Sequence, residues 1–181
     1  MIELALHILD IVQNSIVAKA SLIEISIHED VKNNVMTILI EDNGKGMSKE
    51  EVKCASDPYF TSRITRKVGM GLSLFKSAAE QCSGTFNITS EPGLGTKVAV
   101  TMQYAHLDRQ PLGDIAGTIA LLASSNPYTD FIYNHITNSG EYTFNTKEIK
   151  TELQDVSITN PKVIKFIREM IQENIKEINH L

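Results

Sequence analysis

The chain has 181 residues, 42% hydrophobic and 22% charged, enough for one compact domain or one domain with a small addition. A formal net charge of −5 makes neither nucleic acid nor an anionic membrane an expected partner. The longest apolar run, Ile115 to Ala123, falls far short of the roughly 20 residues a membrane span needs, so no span is expected.

Cys54 and Cys82 form no Cys-x-x-Cys pair and argue for neither a disulfide framework nor a zinc site. Met1-Ile2-Glu3 lacks the basic start of a secretory signal, so a cytoplasmic protein is expected. Residues 3 to 20 read as a helix apolar nearly all round (Leu4, Leu6, Ile8, Leu9, Ile11, Val12, Ile16, Val17), and such a helix is expected to be buried. Asp10 and Asn14 interrupt it, four apart and so on one face. A carboxylate and an amide buried there need partners, either each other or a ligand, and Asn14 offers oxygen to a hard cation such as Mg²⁺. His7 reads as a locally hydrogen-bonded histidine.

Ile23, Ile25 and Ile27 alternate with polar residues in a half-buried strand. After a turn at 31–34 the chain returns as Val35 to Asp42, and period two places Asp42 on the face of Met36, Ile38 and Ile40. An acid on the buried face, followed by Asn43-Gly44-Lys45-Gly46, calls for a ligand that donates N–H groups, such as the amino group of adenine. Gly44 and Gly46 would let the backbone approach that base. Ser48 and Glu51 have capping-box spacing for a short helix.

Between Ser56 and Ser73 lie two hydroxyls, Thr61 and Ser62, and three cations, Arg63, Arg66 and Lys67, followed by Gly69-Met70-Gly71. The two glycines open a helix-capable run ending near Gly84. A helix N-terminus behind a cationic loop suits a polyphosphate, with the loop as a flexible lid. Two more alternating strands, 86–89 and 98–102, are joined by a hairpin loop at 91–95. Four strands with one apolar face each imply an α/β (α+β) open two-layer sandwich, a mixed sheet with helices on one face.

Beyond Gln103 the pattern changes: a helix over 111–124, a hairpin of 130–137 and 141–145, and a short helix capped by Asn145 or Thr146. Asn160-Pro161 starts a terminal helix with Val163, Ile164, Phe166, Ile167, Ile171 and Ile175 inward. Acids outnumber bases here, and no catalytic constellation stands out. Two units are expected: a nucleotide-binding domain over 1–103 and a small C-terminal α+β appendage over 104–181 of unknown role, for which packing or docking is expected over an independent active site.

Residues 3 to 103 resemble the histidine-kinase-like ATPase superfamily (DNA gyrase B, heat-shock protein 90, histidine kinases, MutL). Asp10-Ile11-Val12-Gln13-Asn14 is similar to its first box and Asp42-Asn43-Gly44-Lys45-Gly46 to its adenine-binding box. Asp57-Pro58-Tyr59-Phe60, Gly69-Met70-Gly71-Leu72 and Gly93-Leu94-Gly95-Thr96 are similar to further boxes of sensor histidine kinases. The resemblance implies that Asn14 ligates Mg²⁺, that Asp42 bonds the adenine amino group, and that Gly44 and Gly46 shape the base pocket. It also implies that Gly69 and Gly71 sit at the phosphates, that Thr96 supports the base, and that Arg63, Arg66 and Lys67 reach the outer phosphates.

Asp10 departs from the family, whose kinases often carry Asn there and whose hydrolases carry a Glu base, so Asp10 is a candidate general base. Nor is a phospho-accepting histidine segment expected before the ATP-binding helix. The implied function is Mg-ATP binding with phosphate transfer to a histidine on a separate partner protein. The alternatives are a stand-alone ATPase or ATP-gated switch, and an anti-sigma-like serine kinase acting on a partner.

Overall fold

A computed structural model describes residues 2–55 and 70–180. The order is α1 (Leu4–Val17), β1 (Leu22–Asp30), β2 (Val35–Asp42), α2 (Lys49–Ala55), α3 (Gly71–Gln81), β3 (Thr85–Glu91), β4 (Gly95–Gln103), α4 (Ile115–Ser125), β5 (Asp130–Thr137), β6 (Glu141–Asn145), α5 (Thr146–Leu153) and α6 (Pro161–His180). Six strands form one mixed sheet in the order β3-β4-β2-β1-β5-β6, antiparallel except where β5 runs parallel to β1.

Alternation in the strands produces a two-sided sheet. Ile23, Ile25 and Ile27 of β1, Met36, Ile38 and Ile40 of β2, and Val98, Val100 and Met102 of β4 are all buried. Their register, Ile25 opposite Ile40 and Ile40 opposite Val98, keeps one apolar face in line across the sheet. α1, α3, α4 and α6 supply Ile8, Phe75, Ile119 and Ile167 to the same core. The opposite face carries Glu24, Glu41 and Lys97, with Lys97 and Glu41 3.2 Å apart as an exposed ion pair.

The local start signals behave as their chemistry dictates. Ser48 Oγ accepts from Glu51 N and Glu51 Oε2 accepts from Ser48 N, a closed capping box on α2. Asn145 rather than Thr146 caps α5, its Oδ1 accepting from Lys147 N at 2.9 Å. Three helical expectations need correction. The first is the start of α4, which falls at Ile115 and not at Pro111. Helix α1 is not buried all round: Leu6 and Val17 are exposed, and so is Asp10, because only the side bearing Leu4, Ile8, Ile11, Val12 and Ser15 meets the core. In α6 the inward row is Val163, Ile167, Ile171 and Ile178, while Phe166, about 100° around the helix from Ile167, is 58% exposed.

Strands from residues 104–181 extend the same sheet. Strand β5 pairs with β1 over Leu22–Glu29, and Asp130 N donates to Ser21 O. The segment before α4 caps α1, with Leu4 N and Ala5 N donating to the carbonyls of Pro111 and Leu112. A buried polar chain also crosses this seam. Tyr133 OH donates to His135 Nδ1 at 2.6 Å, and His135 Nε2 donates to Glu29 at 2.8 Å. That bond is the main reason the Glu29 carboxyl is held below its ordinary range, while burial pushes the Tyr133 hydroxyl well up.

Candidate functional site

Asp42 ends β2 opposite Ile23 of β1 and Thr96 of β4, so all three side chains fall on the helix-covered face. It is 8% exposed, and both oxygens are engaged: Oδ2 accepts from Ser15 Oγ at 2.6 Å and Oδ1 from Gly44 N at 2.8 Å. The expected burial of Asp42 therefore holds. A carboxylate oxygen has two acceptor positions, so each keeps one for a further donor.

The turn after Asp42 is fixed from both sides. Asn43 Oδ1 accepts from Ser21 N and Leu22 N, each at 2.9 Å, and its Nδ2 donates to Ser21 Oγ. On the other side Met47 N donates to Ser90 Oγ, and Gly93 N to Lys45 O. Gly46 has φ +66°, and a Cβ there would stand 1.9 Å from Glu91 O, so only glycine lets the turn pass the β3–β4 hairpin. Gly44 lies against Ala18 of the loop after α1. Ser90 Oγ donates to Gly95 O at 2.7 Å, so the 2.9 Å contact with Thr96 takes its proton from Thr96. Thr96 thus stands beside Asp42 with acceptor capacity to spare.

A second cluster lies one helical turn and more toward the start of α1. Gly71 opens α3 so close to α1 that a Cβ there would be 2.9 Å from Asp10 Cβ. Met70, at the N-cap of α3, makes no side-chain cap bond, and the first N–H groups of a helix have no partner within it. Asn14 is half-buried, and among the described residues neither its carboxamide nor the Asp10 carboxylate has a hydrogen-bond partner. Two such uncommitted oxygen donors one turn apart suit Mg²⁺, which takes few protein ligands and completes its shell with phosphate and water. Among the described residues no group of three or more His, Cys, Asp or Glu could hold a metal alone.

His7 ties the two clusters' helices together. Its ring stacks on Phe75 of α3 at 4.9 Å, and Nε2 donates to Gln110 Oε1 at 2.9 Å. Burial lowers its basicity. The hydrogen bond expected for it is present, but its partner Gln110 is 103 positions away and not local. Arg63, Arg66, Lys67 and Gly69, with the Asp57–Phe60 box, lie outside the described residues.

Sequence reasoning missed Ser15, Asn43 and Ser90. Ser15 left a signal, a lone hydroxyl at an inward position among Ile8, Ile11 and Val12. Asn43 was read only as turn chemistry, although its side chain makes three bonds that join β1 to the turn.

The molecule's similarities run in the same direction. Residues 2–106 match the family of histidine kinase-, DNA gyrase B- and HSP90-like ATPases. Sensor histidine kinase YxdK of Bacillus subtilis is 31% identical over 84 residues, 44% of this chain and 25% of that protein. A probable C4-dicarboxylate sensor kinase of the same organism is 36% identical over 78 residues, 43% of this chain and 14% of that protein. The chain thus spans a quarter or less of these relatives. The Aquifex aeolicus MutL ATPase domain complexed with ADP superposes with a TM-score of 0.55 at 17% identity, covering 85% of this chain and 70% of that one. Among the described residues, no helix is long and apolar enough to cross a membrane. With motifs and family match covering the same hundred residues and the fold in agreement, the chain belongs to the family of histidine kinase-, DNA gyrase B- and HSP90-like ATPases and carries its ATP-binding domain, related to the catalytic domains of sensor histidine kinases.

Proposed function

We propose that this chain binds Mg-ATP along α1 and transfers the γ-phosphate to a histidine on a separate partner protein. The observation that carries the nucleotide reading is Asp42, a buried carboxylate held by Ser15 and Gly44 with acceptor positions left over. Asp42 takes the adenine amino group, Gly44 and Gly46 wall the base, and Thr96 supports it from β4. Asn14, with Asp10 near it, supplies oxygen to Mg²⁺, which neutralises phosphate charge when bound. The start of α3 at Gly71 faces the phosphates, and Gly69, Arg63 and Lys67 add to that end. Phosphoryl transfer of this kind rests on positioning and charge neutralisation, not on a covalent intermediate.

The similarity to sensor kinases supports transfer to a histidine, and two of the chain's five histidines support an acceptor in trans. His7 is stacked under Phe75 and His135 is fully buried, so neither is placed to receive phosphate. One observation favours hydrolysis as a second reading: the exposed Asp10 carboxylate lies against Gly71 without a hydrogen-bond partner among the described residues. There it could take a proton from a water attacking the γ-phosphorus as the bond to the bridging oxygen breaks. Incubation with γ-labelled ATP separates the two. Label retained on an added histidine-containing partner supports transfer, and label released as free phosphate at the same rate without any partner refutes it. No stable phosphohistidine is expected on the purified chain alone.

A further inference from the structure

We infer that Ser15 is a positioning residue for base recognition, its hydroxyl fixing the orientation of the Asp42 carboxylate. This deepens the nucleotide reading and rests on Asp42 as the residue that meets the base. The 2.6 Å separation between Ser15 Oγ and Asp42 Oδ2 is that of a charge-assisted O–H···O⁻ bond. The hydroxyl also lies 3.5 Å from Ile11 O, but it has one proton, and the shorter bond to a charged acceptor takes it.

Rotation of an aspartate carboxylate about its last torsion is broad when nothing holds it. Here one donor comes from α1 and one from the turn, each on a different oxygen, so the plane is fixed by two separate elements. Without Ser15 the carboxylate keeps only the Gly44 bond and can pivot about Oδ1.

Helix α1 itself has no use for this hydroxyl. Ser15 is 4% exposed on the apolar side of the helix, where alanine would fit and has the higher helical propensity. Removing it has two opposed effects on a bound amino group. The carboxylate becomes a stronger acceptor, but loses its fixed direction and a donor that stabilises its charge in a buried site. A hydrogen bond that must form in one direction is more sensitive to the second effect.

Calorimetry on the full chain tests this with two ligands, ADP and purine riboside 5′-diphosphate, which lacks the 6-amino group. Ser15→Ala should weaken ADP by about tenfold and the analogue by less than about twofold, collapsing the preference between them. Ser15→Cys, similar in shape with a weak donor, should give an intermediate preference, and it carries the comparison if the alanine variant does not fold. Ile8→Val, on the same helix away from the carboxylate, should leave the preference unchanged. Equal weakening of both ligands would make Ser15 merely structural and overturn the inference. An unchanged or increased preference would overturn it too. If the unaltered chain shows no preference for ADP, the Asp42 reading itself falls and this inference with it.

Discussion

Replacing Asp42 by asparagine changes one atom and removes the charge on which the proposed base recognition rests. Oδ1 now accepts from Gly44 N at 2.8 Å and Oδ2 from Ser15 Oγ at 2.6 Å, at a site 8% exposed. A carboxamide has a single acceptor oxygen. If that oxygen stays with Gly44, the NH₂ group takes the place of Oδ2 and presents donors to the incoming amino group. A hydrogen bond to a charged group contributes about 1.5–3 kcal/mol, and about 1.4 kcal/mol is a factor of ten. Asp42→Asn should therefore weaken ADP about 10- to 150-fold. Stability should change less, because the lost bond from Ser15 is offset by the lower cost of burying a neutral group. Calorimetric titration with ADP, with thermal melting to confirm folding, measures both. Unchanged affinity in a folded variant would refute the assignment of Asp42 to the base.

Three further outcomes are expected. Asp10→Asn should keep near-normal ADP affinity and barely alter phosphate release if the site is kinase-type, whereas a loss of about 10²–10⁴-fold in release would identify Asp10 as the base of a hydrolase. Glu29 has its carboxyl lowered chiefly by the hydrogen bond from His135, so its contribution to stability is fully present above its ordinary value near 4.5 and is lost as pH falls through the lower folded-state value. Denaturant titrations from neutral to acidic pH should show Glu29→Gln less stable than the parent at pH 7, with the gap closing in that acidic window; a pH-independent gap would contradict this. Gly46→Ala places a Cβ against Glu91 O at a left-handed residue, so the melting temperature should fall by at least about 4 °C, and an unchanged melt would show that the turn can yield.

What the sequence determined by itself is set by short-range periodicity. Alternation in β1, β2 and β4 decides which face each strand buries, and the same period carries Asp42 to the covered face at the end of β2. Capping chemistry within three residues places the starts of α2 and α5. The order of the boxes along a hundred residues was enough to read the family, and the family match covers the same stretch. Tertiary structure decided what depends on a distant neighbour. A helix apolar on nearly every side has no preferred direction, so only packing against the sheet turned Ser15 inward and left Asp10 exposed. A strand's pattern names its buried face but not its partner, so the parallel pairing of β5 with β1 appears only in the assembled sheet. That pairing, with the Tyr133–His135–Glu29 chain across it, joins residues 104–181 to the ATP-binding core. The bond between Ser15 and Asp42 spans 27 positions of sequence. Neither residue's local pattern specifies it; it exists because α1 crosses the end of β2 at that point.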